Sequence, residues 1–444
     1  MESQLIQTKD NSKKTLDSEE VHILNKLREI AGVSINNIKL ENNPNLLVFP
    51  QCLNECKDNI QDKPIFSLEG SNCIKTGNIM GFVGYNGTHL RIYSRFAQED
   101  SQDYFMHYML QRVFAINLFN LKYTTDTDSI FNFLIYLFPA FLKRATSQGL
   151  YREYQTKHYN DSNIRGRIDI SRHIKQNIPF TGKIAYSSRE YTADNAVTQL
   201  IRHTIDYISH HPYCGNILQN DEETKRCVSQ IQAVTNSTYN SRDRQRVINQ
   251  NLRAIRHPYF SEYRNLQKLC LQILRHEELK YGTNNDEIYG ILFDGAWLWE
   301  EYLAIVLKGV MIHYTKQGPE PLYLFKGKHQ RIIPDFLNKS TQIVADAKYI
   351  PLDKKHISEG SESEIDIYYK TLVYMYRFNC HVGFLLYPDS KSQQEELCIE
   401  GKTNEILYKI GMEIPQKVNN WNDFIEVMGN SEEEFLSEIN SHIQ

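Results

Sequence analysis

The sequence predicts a mixed α+β protein in three consecutive parts: a β-rich N-terminal module, a mainly helical middle, and a C-terminal α/β domain. Three observations predict it. Short apolar runs punctuated by Asn and Gly fill residues 35–100. From Asp103 the apolar spacing becomes helical. Residues 294–388 then read as helix, three strands, helix, strand. A length of 444 residues suits more than one domain, and the expected boundaries are 1–125, 126–285 and 286–444.

With 41% hydrophobic and 23% charged residues, the chain can bury cores and is not disordered as a whole. Its net charge of −4 excludes a uniformly basic nucleic-acid coat but leaves room for a local basic groove. The opening MESQLIQTKD has no apolar core of a secretory signal. The greasiest stretch, Ile130 to Leu142, is too short to span a bilayer and contains Pro139. A cytoplasmic protein without a membrane anchor is expected. The eight cysteines are scattered, which suits reduced structural thiols.

Along the chain, residues 1–20 are polar and expected to fray. Residues 21–32 fit a short amphipathic helix closed by Gly32. Leu46–Phe49, Ile79–Val83 and Leu90–Tyr93 fit strands, with a turn at Asn86-Gly87. Tyr104, Tyr108, Met109, Val113 and Leu118 share a helical face, and 129–147 continues in that style. Strand-like pieces fall at Ile164–Ile170 and Ile184–Tyr186. Residues 193–275 are mainly helical, with breaks at His211-Pro212 and His257-Pro258. The polar segment 276–290 marks a boundary, and Ser431–Gln444 reads as an acidic helix-like tail.

The chemistry concentrates in 294–388. Asp294 can N-cap a helix that starts at Gly295 and runs on through Tyr314. Pro321–Phe325, Arg331–Leu337 and Thr341–Tyr349 fit three strands, with a turn at Asn338-Lys339-Ser340. In the third strand Val344, Asp346 and Lys348 share one face, while Ile343, Ala345 and Ala347 share the other. A hairpin brings Asp335 and Asp346 together, since paired strands lie ~5 Å apart. Two carboxylates so placed repel unless a cation joins them, and their hard oxygens suit Mg²⁺, with Mn²⁺ as a substitute. The Ala347 carbonyl is a candidate third ligand. Lys348 points to the same place, where an ammonium orients water or stabilises charge on a reacting phosphate. Lys326, Lys328, His329, Arg331, Lys339, Lys354, Lys355 and His356 flank the motif and fit a phosphate-backbone patch. Gly401-Lys402-Thr403 mimics the end of a P-loop but lacks the first glycine, so no NTPase is expected here.

Pro334-Asp335, ten residues, then Asp346-Ala347-Lys348 resembles the signature of PD-(D/E)xK nucleases. Arg165-Gly166-Arg167-Ile168-Asp169-Ile170, Ile178-Pro179 and Asp194-Asn195 before QLIRHTI resemble the middle region of the McrC family. McrC is the nuclease subunit of McrBC-type modification-dependent restriction systems. Leu298-Trp299-Glu300-Glu301-Tyr302 is similar to that family's Leu-Phe-Glu motif, which puts Glu300 at the helix-glutamate position and among the candidate metal ligands. The resemblance covers roughly 145–390. It implies a restriction-endonuclease-like C-terminal domain, Mg²⁺-dependent DNA cleavage, and a McrB-like hexameric AAA+ GTPase as partner. It also implies that two nuclease domains meet for double-strand cleavage, and 35–100 is the expected motor-docking module. One departure stands out. The helix after the motif often carries Gln where this chain has Lys370, which is expected to contact a phosphate. A non-catalytic adaptor that stimulates a motor, or a stand-alone DNA repair nuclease, are the alternatives.

Overall fold

The computed structural model describes residues 4–38, 46–50, 62–85, 88–98, 103–114, 127–211, 215–280, 288–314, 320–350, 362–402 and 404–443. In chain order the first stretch forms β1 (Gln4–Lys9), β2 (Lys13–Thr15), α1 (Ser18–Leu27), β3 (Leu46–Phe49), β4 (Phe66–Leu68), β5 (Cys73–Thr76), β6 (Ile79–Tyr85), β7 (Thr88–Tyr93) and α2 (Tyr104–Phe114). The second forms α3 (Thr127–Ser147), β8 (Glu153–Asp161), β9 (Arg167–Ile168), α4 (Ile170–Gln176), β10 (Ile184–Thr192), α5 (Ala196–Ser209), α6 (Glu222–Thr235), α7 (Arg244–Gln250) and α8 (Ser261–Lys280). The last forms β11 (Tyr289–Asp294), α9 (Gly295–Val306), β12 (Ile312–His313), β13 (Leu322–Phe325), β14 (His329–Ile332), β15 (Phe336–Asn338), β16 (Ile343–Ala347), α10 (Glu362–Phe378), β17 (Val382–Asp389), β18 (Gln393–Cys398), β19 (Ile406–Glu413) and α11 (Trp421–Ser441). Among the described residues no helix is long and apolar enough to cross a membrane.

The chain divides into two compact units rather than three consecutive parts. Met1–Leu118 and Asn284–Gln444 form one unit, and Phe119–Thr283 forms the other. The reason lies in β11. It pairs parallel with β3 and antiparallel with β6 in a sheet of order β1-β7-β6-β11-β3. The polar segment 276–290 is thus a crossing point, but the chain beyond it returns into the N-terminal sheet before entering α9. Two glycines make this strand pair possible. A Cβ on Gly81 would sit 2.2 Å from the Ile291 carbonyl oxygen, and one on Gly290 would sit 2.1 Å from that of Phe82. Helices join the two ends of the unit as well: Glu432 on α11 accepts hydrogen bonds from Tyr302 on α9 at 2.6 Å and Tyr108 on α2 at 2.9 Å.

Several local expectations change. Residues 4–9 do not fray: β1 runs parallel to β7 from Gln4↔Thr88 to Lys9↔Tyr93, and Ile6 is fully buried. The helix from Gly295 ends at Val306, where Leu307 caps it and Gly309 takes φ +94°, and the chain turns into β12. Arg331–Leu337 is not one strand. It breaks around Pro334, which has no N–H for a ladder; β14 pairs only with β13, and β15 joins the larger sheet. Of Ile164–Ile170 only Arg167–Ile168 is strand, because Asp169 caps α4. The acidic tail is the end of a 21-residue helix, α11, whose Phe424, Met428, Phe435 and Ile439 are buried. The Asn86-Gly87 turn and Pro212 lie outside the described residues.

The larger C-terminal sheet has the order β12-β15-β16-β17-β19-β18. Its centre is parallel, β16 to β17 to β19, with antiparallel β15 and β18 flanking. Central parallel strands are covered on both faces and read as continuous apolar runs. Accordingly Val344, Ala345, Phe384, Leu385 and Leu386 are fully buried. On one face Tyr374 and Met375 of α10 pack with Leu337, Val344 and Leu385. On α9, Trp299 donates its indole N–H to the Leu386 carbonyl at 3.2 Å.

The second unit stands by itself on α3, α5, α6 and α8, which bury Phe138, Leu200, Ile231 and Leu269. Its sheet has the order β8-β10-β9. Beside that sheet α4 buries no residue at all, and Ile170, Ile174, Ile178 and Phe180 are 54–68% exposed.

Candidate active site

Asp335 and Asp346 meet as the hairpin requires. The register Phe336↔Ala345 between β15 and β16 places Asp335, one residue before β15, opposite Asp346. Both are buried, Asp335 at 3% exposure and Asp346 at 0%. Asp335 Oδ2 accepts the Ala347 backbone N–H at 2.8 Å, which fixes one carboxylate against the other's strand. The Asp346 carboxylate is held differently. Lys348 Nζ lies 2.6 Å from Oδ2, and Lys370 Nζ lies 2.8 Å from Oδ1. Neither contact has hydrogen-bond geometry, and among the described residues neither oxygen has a hydrogen-bond partner. Lys370 also lies 3.9 Å from Asp335 Oδ1, so its ammonium reaches both carboxylates.

The electrostatics follow from this packing. Burial first, and then the neighbouring Asp335, push the Asp346 carboxyl above the usual range, against the pull of Lys370 and Lys348. For Lys370 burial disfavours the ammonium, but Asp335 and Asp346 outweigh it and hold its pKa above the ordinary lysine value. Two carboxylates and two ammoniums thus share one pocket. The oxygens of Asp335 and Asp346 are the hard donors that Mg²⁺ or Mn²⁺ takes. The orphaned oxygens of Asp346 fit such an ion, provided that one ammonium withdraws.

The other expected site residues separate into three groups. Glu300, on α9, is engaged by His313 on β12, with Oε1 and Nε2 2.9 Å apart. His313 in turn stacks on Phe336, ring centres 5.2 Å apart. Among the described residues no group of three or more His, Cys, Asp or Glu side chains is arranged to hold a metal ion, so Glu300 does not complete a ligand set with the two aspartates. Lys326, Lys328 and Arg331 are exposed on the β13–β14 hairpin. Lys354, Lys355 and His356 lie outside the described residues. Ala347, expected to offer its carbonyl, joins the cluster through its backbone N–H. Lys370, expected on a phosphate, instead contacts the carboxylates, because the phase of α10 over β16 turns it inward. Reading the sequence missed His313 and Tyr349, which have no local motif. Tyr349 follows Lys348, is buried, and packs under the Arg95 guanidinium at 4.4 Å from its ring centre.

Fold and sequence together place the chain among the components of modification-dependent restriction systems: residues 74–388 match the family described as "McrBC 5-methylcytosine restriction system component". The chain belongs to that family. No curated protein matches it. Among solved structures it is similar to a half-complex from a tetradecameric assembly of Thermococcus gammatolerans McrB AAA+ hexamers with bound McrC, at a TM-score of 0.50 and 16% identity, covering 98% of this chain and 100% of that one. A second Thermococcus gammatolerans McrBC complex matches at TM-score 0.34 and 15% identity, over 69% of this chain and 87% of that one.

Proposed function

We propose that the chain is the Mg²⁺-dependent DNA endonuclease subunit of a McrBC-type restriction complex, with a PD-(D/E)xK domain in residues 286–444. The observation that carries this is Asp346: a fully buried carboxylate beside Asp335 that, among the described residues, meets lysine ammoniums and no backbone or neutral donor. A fold has no stability reason to bury such a group, whereas phosphodiester hydrolysis has a use for it. Asp335 and Asp346 would hold the metal ion, which supplies Lewis acidity at the scissile phosphate. Lys348 places its ammonium where charge builds up on the phosphoryl oxygens. Exposed Lys326, Lys328 and Arg331 follow the DNA backbone without reading sequence.

The motor partner is a McrB-like hexameric AAA+ GTPase, and two nuclease domains pair for double-strand cleavage. We assign docking to the second unit rather than to 35–100. β3, β6 and β7 share a sheet with β11, whereas Ile170, Ile174, Ile178 and Phe180 offer exposed apolar surface. A non-catalytic adaptor remains the second reading, since the cluster at Asp346 is balanced in charge as it stands. Cleavage separates the two. Purified protein with its McrB-like partner, GTP and Mg²⁺ should cut modified DNA, and Asp346→Ala should not; GTP-dependent stimulation of the motor without any cutting by the wild type would favour the adaptor.

A further inference from the structure

Lys370 stands where a cation belongs. Its ammonium is 2.8 Å from Asp346 Oδ1 and 3.9 Å from Asp335 Oδ1. Among the described residues Lys348 pairs with Asp346 alone, on the other oxygen. Of the two lysines, therefore, only Lys370 bridges the pair that the proposed metal ion would bridge. The lysines also differ in their freedom to leave: the Lys370 side chain is 33% exposed, against 17% for Lys348. Lys370 extends from α10, whose outer residues Tyr369 and Tyr376 are 61% and 85% exposed. A flexible stem beside solvent lets the ammonium swing out without moving the helix.

We propose that Lys370 is a built-in competitor for the cation seat between Asp335 and Asp346, so that a divalent ion enters only as this ammonium withdraws. This rests on the metal site of the proposed function. Two carboxylates with two ammoniums are balanced in charge. Adding a divalent cation with both ammoniums in place would leave a buried excess of two positive charges, which the low-dielectric surroundings penalise. Withdrawal of Lys370 halves that excess, takes away the ammonium that faces the ion's seat, and frees Asp346 Oδ1 and Asp335 Oδ1 together. The residue thereby lowers intrinsic metal affinity, and it keeps the two carboxylates from repelling each other when no metal is bound.

The test is a Mn²⁺ titration of the full-length chain, reading free Mn²⁺ by electron paramagnetic resonance, for wild type, Lys370→Gln, Lys370→Arg, and Lys370→Gln combined with Asp346→Ala. Lys370→Gln should bind Mn²⁺ at least ~10-fold more tightly than wild type, the scale by which groups around metal ligands alter affinity. Lys370→Arg, which keeps the charge, should stay close to wild type, and the double variant should not bind. Melting temperature adds a second readout: Lys370→Gln should melt lower than wild type in EDTA and recover in Mn²⁺. Equal or weaker binding by Lys370→Gln, with wild type binding and the double variant not, would overturn the competition while leaving the metal site intact. Binding by none of them would overturn both. A lowered melting temperature that Mn²⁺ does not restore would reduce Lys370 to a structural counter-ion.

Discussion

The first unit buries two acidic clusters, and they are held in opposite ways. At one, Asp103 accepts the Ser94 hydroxyl at 2.6 Å, the Ser94 backbone N–H, and the Met106 N–H at 3.1 Å. Asp10 accepts the Arg95 N–H and the Asn11 side chain, with the Arg95 guanidinium 3.5 Å away. At the other, Asp346 meets two lysine ammoniums without hydrogen-bond geometry. Burial raises the pKa of all three carboxyls, so titration does not tell the clusters apart. The donors do. Backbone N–H groups are fixed by the fold and cannot be exchanged for a ligand, whereas an ammonium on a long stem can. Carboxylates satisfied by the backbone are structural, and carboxylates compensated only by mobile cations are available for chemistry. The clusters touch through Tyr349, which joins the Arg95 group to the segment that follows β16 and bears Lys348.

The widest separation should come from removing one carboxylate at each place. Asp346→Ala should reduce cleavage to background while costing less stability than Asp103→Ala, because the freed Lys370 ammonium can swing into solvent on its flexible stem. Asp103→Ala should instead lose about 3 kcal/mol of stability, read by urea denaturation, since it strips buried donors and the start of α2 of their acceptor. If Asp346→Ala unfolds as readily as Asp103→Ala, the two clusters do not differ in kind. Lys348→Ala sharpens the contrast within the Asp335–Asp346 cluster: turnover should fall by ~10²-fold while Mn²⁺ binding persists, the scale of losing one charge stabiliser. Near-normal turnover would move that role to another cation.

The smallest effect is in pH. Asp10 is raised to about 6, chiefly by burial, against the opposing Arg95. A raised folded-state pKa favours the neutral form in the native protein. Its contribution is therefore fully present below the ordinary carboxylate range and is lost as pH rises through about 6. Between pH 7 and pH 5 the wild type should gain about 1 kcal/mol relative to Asp10→Asn. Parallel stability curves for the two proteins across that window would show that Arg95 neutralises Asp10 more completely than burial opposes it.

What was legible in the sequence was what local pattern controls. Period-two alternation and a short turn put Asp335 opposite Asp346, and Asp294 announced the start of α9. What was not legible depended on pairing across distance. β1 carries the polar string QLIQTK and becomes ordered only by joining β7, more than eighty residues later. β11 reads as the start of a new domain but is a strand of the first sheet, because Gly290 and Gly81 let two backbones close on each other. At the site, motif spacing identifies Asp346 and Lys348 but does not fix how α10 is rotated over β16, which is what turns Lys370 onto the carboxylates. The Glu300–His313 pair likewise depends on where α9 ends and β12 begins.

The central claim is that Asp335 and Asp346 form a cation seat whereas Asp10 and Asp103 do not. Free Mn²⁺ measured by electron paramagnetic resonance, titrated into the millimolar range on wild type, Asp346→Ala and Asp10→Asn, tests it most directly. Wild type and Asp10→Asn should bind alike, and Asp346→Ala should leave the Mn²⁺ free. Equal binding by all three, or loss of binding in Asp10→Asn while Asp346→Ala still binds, would contradict it.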